Sequence, residues 1–376
     1  MIFSAAKQKT SRICGLNQCP RGAKLMIQRT ILYLAIIAAL SSCNTSKLAS
    51  VQPGALKPVV VTQPTPHDTD DPAIWINPAD ATQSLIVGTD KDSDGGLYLY
   101  NLKGEIINKS EPLKRPNNVD IAYQFKVGNR NVDIAVTTER ETNKIRIFSL
   151  PDLKPIDNGG IPVFEGETER DPMGVSIYTR PSDKAIFIIV GRKTGPSGSY
   201  LWQYKLEETN GAATAVVVRK FGSFSGKKEI EAIAVDNELG YIYYSDEQAG
   251  VKKYYADPDK RDDTELAFFG QNDFKADHEG IAIYKSSATT GYLLISNQQK
   301  NTFMVYAREG SDGDANKHTL LAEIPVSTIE CDGADVTSVN LGGQFQKGMF
   351  VAMSNGMTFH LYDWRPIQAL IDQAGK

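Results

Sequence analysis

The segment DHEGIAIYK, residues 277–285, places two acidic residues and a glycine directly before an apolar, strand-like run. Asp277 and Glu279 are two positions apart, so in an extended chain their side chains point to the same side. Carboxylates held this close repel each other unless a positive group or a cation lies between them. The pattern therefore indicates a site where acids surround a cation.

The strands that would position such a site are indicated by a repeat in the sequence. An aromatic residue recurs near the end of six short, strand-like segments, with spacings of 48, 56, 50, 52 and 56 residues, at Tyr100, Phe148, Tyr204, Tyr254, Tyr306 and Tyr362. Two further strand patterns precede each of them. Repeats of this length in aromatic-rich, turn-punctuated strands are typical of propeller blades. The sequence therefore predicts an all-β, six-bladed β-propeller, closed by an N-terminal strand (residues 56–63) in the last blade.

This architecture brings polar residues together. The innermost strand of a blade pairs antiparallel with the second strand, so the start of the first strand lies beside the end of the second. Polar residues open each first strand and close each second strand, so we expect them to ring one mouth of the central channel. The acids and amides involved include Asp71, Glu231, Glu247, Asp277, Glu279, Gln298 and Asp332, and the cations are Lys91, Arg140, Arg192 and Lys193.

Oxygen ligands with few nitrogens and no sulfur favour Ca²⁺, with Mg²⁺ as a weaker candidate. Zinc fits poorly, because the chain has only four histidines and no HExxH motif. A mouth that carries both charge signs suits a polyanion bridged by calcium, with arginine and lysine holding phosphates. Neither a GxSxG elbow nor a phosphate-binding glycine loop is present. Phosphate hydrolysis here would therefore depend on metals and water.

At these residues the chain resembles the β-propeller phytases, calcium-dependent phosphatases that hydrolyse myo-inositol hexakisphosphate (phytate). The resemblance runs from about Asp68 to Ile367. It rests on ordered short motifs: DDPAIWINP, GTDKDSDGGLYLYNLKGE, RPNNVDIAY, DIAVTTER, IEAIAVDNELGYIYYSDE, DHEGIAIY, GYLLISNQ and CDGADV.

The resemblance implies several calcium ions at one mouth and attack of metal-activated water on phosphorus. The implied metal ligands are Asp71, Glu231, Glu247, Asp277, Glu279, Gln298 and Asp332. The implied catalytic residues are Glu231, Asp277, Glu279, Lys91 and Arg140, and the implied phosphate-binding residues are Lys91, Arg140, Arg192 and Lys193. The chain departs from the family at Met173, where a tyrosine is usual.

Two other functions remain open. A calcium-dependent propeller lactonase also gathers acids around a central ion, but it needs little positive charge at the mouth. A non-catalytic interaction propeller would present apolar or aromatic patches instead of carboxylates.

The N-terminal region has the sequence pattern of an export signal. Residues 31–40 are apolar, follow Arg29, and end in Leu-Ser-Ser-Cys, which resembles a lipobox with Cys43 as the lipidated residue. We expect a signal peptide over residues 1–43 (with Met26 as a candidate start), a linker over 44–55, the propeller over 56–368 and a tail over 369–376.

Without residues 1–43, 35 Lys and Arg face 45 Asp and Glu, a net charge of −10. This balance argues against a nucleic-acid partner. Only Cys331 lies in the predicted propeller, which leaves no internal disulfide. We expect an exported monomer that meets a membrane only through its lipid anchor.

Overall fold

The computed structural model describes residues 48–376. The predicted signal peptide and Cys43 lie outside these residues. Within the described range, twenty-five strands form six antiparallel sheets. Taken from the innermost strand outwards, blade 1 is β2 Thr69–Trp75, β3 Leu85–Asp90, β4 Gly96–Tyr100 and β5 Ile106–Lys109; blade 2 is β6 Pro116–Val127, β7 Arg130–Glu139 and β8 Lys144–Leu150 with β9 Lys154–Pro155 and β10 Ile161–Pro162; blade 3 is β11 Pro172–Thr179, β12 Ile186–Arg192, β13 Leu201–Thr209 and β14 Ala212–Phe221.

The second half of the ring repeats this plan. Blade 4 is β15 Ile233–Asp236, β16 Tyr241–Asp246, β17 Gly250–Tyr255 and β18 Ala267–Phe269; blade 5 is β19 Ile281–Lys285, β20 Gly291–Asn297, β21 Thr302–Ala307 and β22 Leu320–Pro325; blade 6 is β23 Ala334–Thr337, β24 Met349–Ser354, β25 Thr358–Asp363 and β1 Val60–Val61. Short 3-10 helices cover Ala81–Gln83, Arg140–Thr142, Pro258–Lys260 and Gln298–Lys300.

The six inner strands close into a ring. Strands β2, β6, β11, β15, β19 and β23 each contact the next, and β23 contacts β2. Strand β1 completes blade 6 by pairing antiparallel with β25, with Val60 opposite Leu361. The predicted six-bladed propeller and its N-terminal closure are therefore confirmed.

The repeated aromatic residues lie on the third strand of every blade, and all six are buried. Apolar side chains of neighbouring blades pack face to face between the sheets, in clusters that run round the ring. Because each blade alone would leave its two apolar faces in water, the burial that stabilises one blade depends on its neighbours.

Aspartates on the inner strands link successive blades. The carboxylate of Asp71 accepts a hydrogen bond from the Val119 amide of blade 2 at 3.1 Å. Asp120 accepts from the Ile177 amide of blade 3 at 2.7 Å, and Asp335 accepts from the Ile74 amide of blade 1 at 2.8 Å. These carboxylates line a central cavity of about 190 Å³, and burial raises the pKa of each.

The chain ends in a helix that the sequence analysis did not predict. Helix α1, Trp364–Ala374, takes Asp363 as its N-cap, and Trp364 stacks on Tyr284 with 3.6 Å between the ring centroids. Ile371 is buried, so residues 369–374, expected to form a tail, pack on the propeller. Within residues 48–376, no helix has the length and apolar character needed to cross a bilayer.

A fully buried ion pair joins blades 4 and 5. The Arg308 guanidinium donates to both carboxylate oxygens of Asp236, at 2.5 and 2.7 Å, and neither side chain is exposed. Removing one partner of such a pair leaves an uncompensated buried charge, which is far more damaging than losing an exposed pair.

We expect Asp236→Ala to lower the free energy of unfolding by about 3–5 kcal/mol, because the buried Arg308 would keep its charge with only the more exposed Glu238 carboxylate, at 3.0 Å, as a partner. The measurement is urea unfolding followed by circular dichroism. Lys317→Ala, which breaks only the exposed Lys317–Asp312 pair, is the control and should change little. Equal effects of the two substitutions would contradict a structural role for the buried pair.

Candidate metal and phosphate site

The pairing of first and second strands produces the predicted convergence at one mouth. In blades 1 to 3, the start of the inner strand pairs with the end of its neighbour: Thr69 with Asp90, Pro116 with Glu139 and Pro172 with Arg192. In blades 4 to 6, the same junction is made by backbone hydrogen bonds from Ser245 to Ala232, Ser296 to Gly280 and Met353 to Gly333. The polar residues that flank these junctions therefore face a common opening.

A β-bulge aims the first of these acids. The pairing of β2 with β3 shifts register between Thr69 and Pro72, so one extra residue is inserted there. Asp70 contacts Lys91 at the mouth, while the adjacent Asp71 reaches blade 2. Similar shifts occur at the start of the inner strands of blades 2 and 3. The bulge thus directs Asp70 toward the mouth and the adjacent Asp71 toward blade 2.

Lys91 joins blades 1 and 6. Its Nζ lies 2.6 Å from Asp70 Oδ1 and 2.6 Å from Asp332 Oδ2, and we name these three residues the Lys91 cluster. Despite burial, which alone would lower it, the pKa of Lys91 is raised by the charges of Asp70, Asp332 and Glu231. Lys91 is therefore a permanent cation at the mouth, 19% exposed.

A second lysine, which the sequence analysis missed, is surrounded by three carboxylates. Lys228 Nζ lies 2.7 Å from Glu247 Oε2, 3.0 Å from Asp277 Oδ2 and 2.9 Å from Glu279 Oε1. We name the three carboxylates the acidic triad. The Lys228 ammonium contacts both Asp277 and Glu279, so this lysine is a cation of the kind that their spacing predicts. Lys228 directly precedes Glu229 in the loop that leads into an inner strand, and this position could have identified it as a residue of the mouth.

Two side-chain amides tie the clusters together. Gln298 Nε2 donates to Asp332 Oδ1 at 2.7 Å and to Glu279 Oε2 at 2.9 Å, so it links the Lys91 cluster to the acidic triad. Asn117 of blade 2 donates to Asp70 Oδ2 at 2.7 Å and also to Glu231. The site is therefore one hydrogen-bonded network built from five blades.

Burial and mutual repulsion disturb the ionisation of these acids. Burial, then the charge of neighbouring acids, raises the pKa of Glu231 and Asp332 well above the usual range. Burial raises the pKa of Glu247 and Glu279 to about 7, although Lys228 opposes the shift. Asp277 differs, because hydrogen bonds from Gln248 and the charge of Lys228 outweigh burial and lower its pKa.

The donor set fits a hard divalent cation. One oxygen from each of Glu247, Asp277 and Glu279 lies within 4.8 Å of the other two, and the same holds for Glu229, Glu231 and Glu247. Glu247 is fully buried, and its Oε1 accepts no hydrogen bond from any residue in the described range. Carboxylate oxygens at this separation are the ligands that Ca²⁺ takes.

The Asp71 carboxylate makes a contact between blades. Its Oδ2 accepts the hydrogen bond from the Val119 amide, and a Cβ on Gly333 would lie 2.3 Å from its Oδ1. The absence of a side chain at Gly333 is thus what allows blade 6 to bring Asp332 beside blade 1. Asp71 is oriented as a link between blades and lies at the wall of the central cavity.

The predicted phosphate-binding cations differ in availability. Arg140 begins a 3-10 helix directly after β7, and within residues 48–376 its side chain makes no salt bridge. Lys193 is 45% exposed and pairs with Glu229 at 2.8 Å.

Arg192 is a correction to the sequence analysis. Its guanidinium is fully buried and donates to the backbone carbonyls of Glu169 and Ser199, at 3.1 and 3.0 Å. It also lies over the Phe164 ring, 4.7 Å from the centroid. It also pairs with Glu167 at 3.3 Å, so this buried guanidinium is held by the protein's own loops instead of being presented to a substrate. Met173 is buried too, and its backbone carbonyl accepts a hydrogen bond from Thr138.

We expect the stabilisation by added calcium to grow as pH rises from about 5 to about 7, and then to level off. Glu247 and Glu279 ionise near 4.5 in the unfolded chain but near 7 in the folded protein. Their protonation therefore stabilises the metal-free fold at low pH, and this contribution is lost as pH rises through 7. Cations must displace the same protons, so binding strengthens over the same interval.

The measurement is the difference between urea unfolding curves recorded in EDTA and in excess calcium. Burial lowers the pKa of His278, of His318 and of the half-buried His360 to about 4. These three groups act in the opposite direction in both conditions, and their common contribution cancels in the difference. A difference that is independent of pH would rule out protonated carboxyls as competitors of the metal.

Comparison with known proteins gives a consistent assignment. The family model described as Phytase matches residues 24–359. A 3-phytase of Bacillus subtilis (strain 168) is 29% identical over 315 residues, which cover 79% of this chain and 80% of that protein. The family match covers blades 1 to 5, the first two strands of blade 6 and every acid of the mouth. The chain belongs to the phytase family of enzymes.

Proposed function

We propose that this protein hydrolyses phosphate monoesters of phytate and that calcium ions held at the mouth of the propeller support the reaction. The observation that carries the proposal is the convergence of buried carboxylates from four blades around two lysines at a single opening. Family membership and the similarity to a 3-phytase support the choice of substrate.

The acids present exceed the cations that the chain supplies. Lys91 and Lys228 face six carboxylates at the mouth, namely Asp70, Glu231, Glu247, Asp277, Glu279 and Asp332. The residues that would hold calcium are the acidic triad and Glu231, with Gln298 and Asp332 beside them. Bound calcium ions would neutralise phosphoryl oxygens and activate water for attack on phosphorus.

The basic residues supply the complementary part of the site. Lys91 presents an ammonium between Asp70 and Asp332, and Arg140 presents a guanidinium without a salt-bridge partner among the described residues. Guanidinium groups bind phosphate oxygens in bidentate fashion, whereas an ammonium acts as a point charge. Lys193, on the same rim, can take an outer phosphate of a polyphosphorylated ring. Such mixed charge suits a polyanion better than a neutral lactone.

Phosphate release from phytate tests the proposal. We expect activity to disappear in EDTA and to return with added calcium. Glu279→Gln, which keeps the shape of the side chain and removes its charge, should lower kcat by about 10²–10³-fold. Lys91→Met should act mainly on KM, by about tenfold or more, because it removes a substrate contact.

Two variants on other parts of the ring serve as controls. Lys103→Met removes a positive charge, as Lys91→Met does, but from an exposed turn of blade 1. Glu207→Gln removes a negative charge, as Glu279→Gln does, but from the third strand of blade 3. Both should keep full turnover. Full activity in EDTA, or unchanged turnover of Glu279→Gln, would contradict the proposal. Hydrolysis of lactones with no release of phosphate would favour the lactonase alternative.

We further propose that the protein is exported and anchored by a lipid on Cys43. In a bacterial host, full-length protein should incorporate labelled palmitate and fractionate with membranes, because a thioether-linked diacylglycerol partitions into the bilayer. Cys43→Ala should lose both properties, whereas Cys331→Ala, at a buried thiol, should keep them. Label retained in Cys43→Ala would refute the anchor.

A further inference from the structure

Lys228 occupies the position that a metal ion would need. Its Nζ lies 2.7–3.0 Å from one oxygen of each member of the acidic triad. Calcium binds carboxylate oxygens at about 2.3–2.6 Å, so an ion shared by the same three oxygens would take the same place. An ammonium and a divalent ion repel each other and cannot both lie there.

The two lysines of the mouth are held differently. Lys91 is 19% exposed and lies between two acids of different blades. Lys228 is 32% exposed and reaches the triad from the loop between β14 and β15, residues 222–232. Because about a third of this flexible four-carbon side chain is already exposed, the ammonium has a path to water.

Hydrogen bonds hold the backbone on both sides of Lys228. Ser225 donates through its amide and its hydroxyl to Asp246, at 2.8 and 2.7 Å. The Glu247 amide donates to the Glu229 carbonyl at 3.1 Å. These contacts fix the loop on both sides of Lys228, so a rotamer change is enough to leave the triad.

We propose that Lys228 is a built-in cation of the acidic triad and competes with a divalent ion for it. Without metal, the ammonium compensates Glu247, Asp277 and Glu279 and keeps the mouth folded. When a divalent ion binds the triad, the Lys228 side chain leaves toward solvent and adds a positive charge to the rim. This inference rests on the metal binding in the proposed function, but it concerns a residue that the function does not require.

Calcium titration calorimetry on chelator-treated protein tests the competition. Lys228→Met keeps the length of the side chain and removes its charge, so we expect calcium to bind the triad at least about tenfold more tightly than in wild type. In EDTA, the same variant should have a lower Tm than wild type, and added calcium should raise its Tm by more than it raises that of wild type.

Lys227→Met is the matched control. It removes the same charge from the same loop, but among residues 48–376 Lys227 Nζ forms its one hydrogen bond with the Gln248 carbonyl, at 2.8 Å, and no salt bridge with the triad. Its calcium affinity should equal that of wild type. Lys228→Arg, which keeps a cation, should not gain affinity. If Lys228→Met does not fold in EDTA, Tm as a function of calcium concentration, on protein purified with calcium, gives the same comparison.

The outcomes separate this inference from the proposed function. Equal calcium affinity of Lys228→Met and Lys227→Met, in a protein that hydrolyses phytate with calcium, would overturn the competition alone. A wild-type protein that binds no calcium, with a Lys228→Met variant that does, would support the competition and contradict calcium-dependent hydrolysis.

Discussion

The compensation of carboxylates at one mouth is the constraint on which the structure depends. Acids from four blades are brought within contact of one another, and their mutual repulsion in a partly buried site must be offset by cations or by protons. Two lysines offset part of it, and burial raises the pKa of Glu247 and Glu279, which favours their protonated forms in the absence of metal. A divalent ion replaces both with a stronger and more localised charge.

The rigidity of the ring makes this arrangement possible. Backbone amides of neighbouring blades donate hydrogen bonds to the carboxylates of Asp71, Asp120 and Asp335. These bonds fix the inner strands relative to one another. Gln298 and Asn117 then hold the mouth acids across blade boundaries. A strand end can tolerate a repelling neighbour only if its backbone has no room to move away, and the closed ring removes that room.

The fold was predictable from the sequence because it follows from local repetition. The third-strand aromatics and the polar residues at strand ends recur with the blade, and antiparallel pairing fixes where those ends meet. Side-chain direction was not predictable in the same way. Arg192 is the last residue of β12, and Arg140 directly follows β7. The Arg192 guanidinium is nevertheless buried, because backbone carbonyls and the Phe164 ring hold it there. Lys228 lies in an irregular loop, where spacing carries no orientation, and helix α1 is too short for its periodicity to stand out.

The pairing of β1 with β25 has a consequence for how the molecule reaches its native state. Val60 and Leu361 lie about 300 residues apart, so the last blade is complete only when nearly the whole polypeptide is available. Contacts of such long range are slow to form, because loop-closure entropy opposes them until late in folding. A nascent chain would consequently remain an open arc, with an unpaired strand edge at each end. Catalytic competence would arise in a single late event.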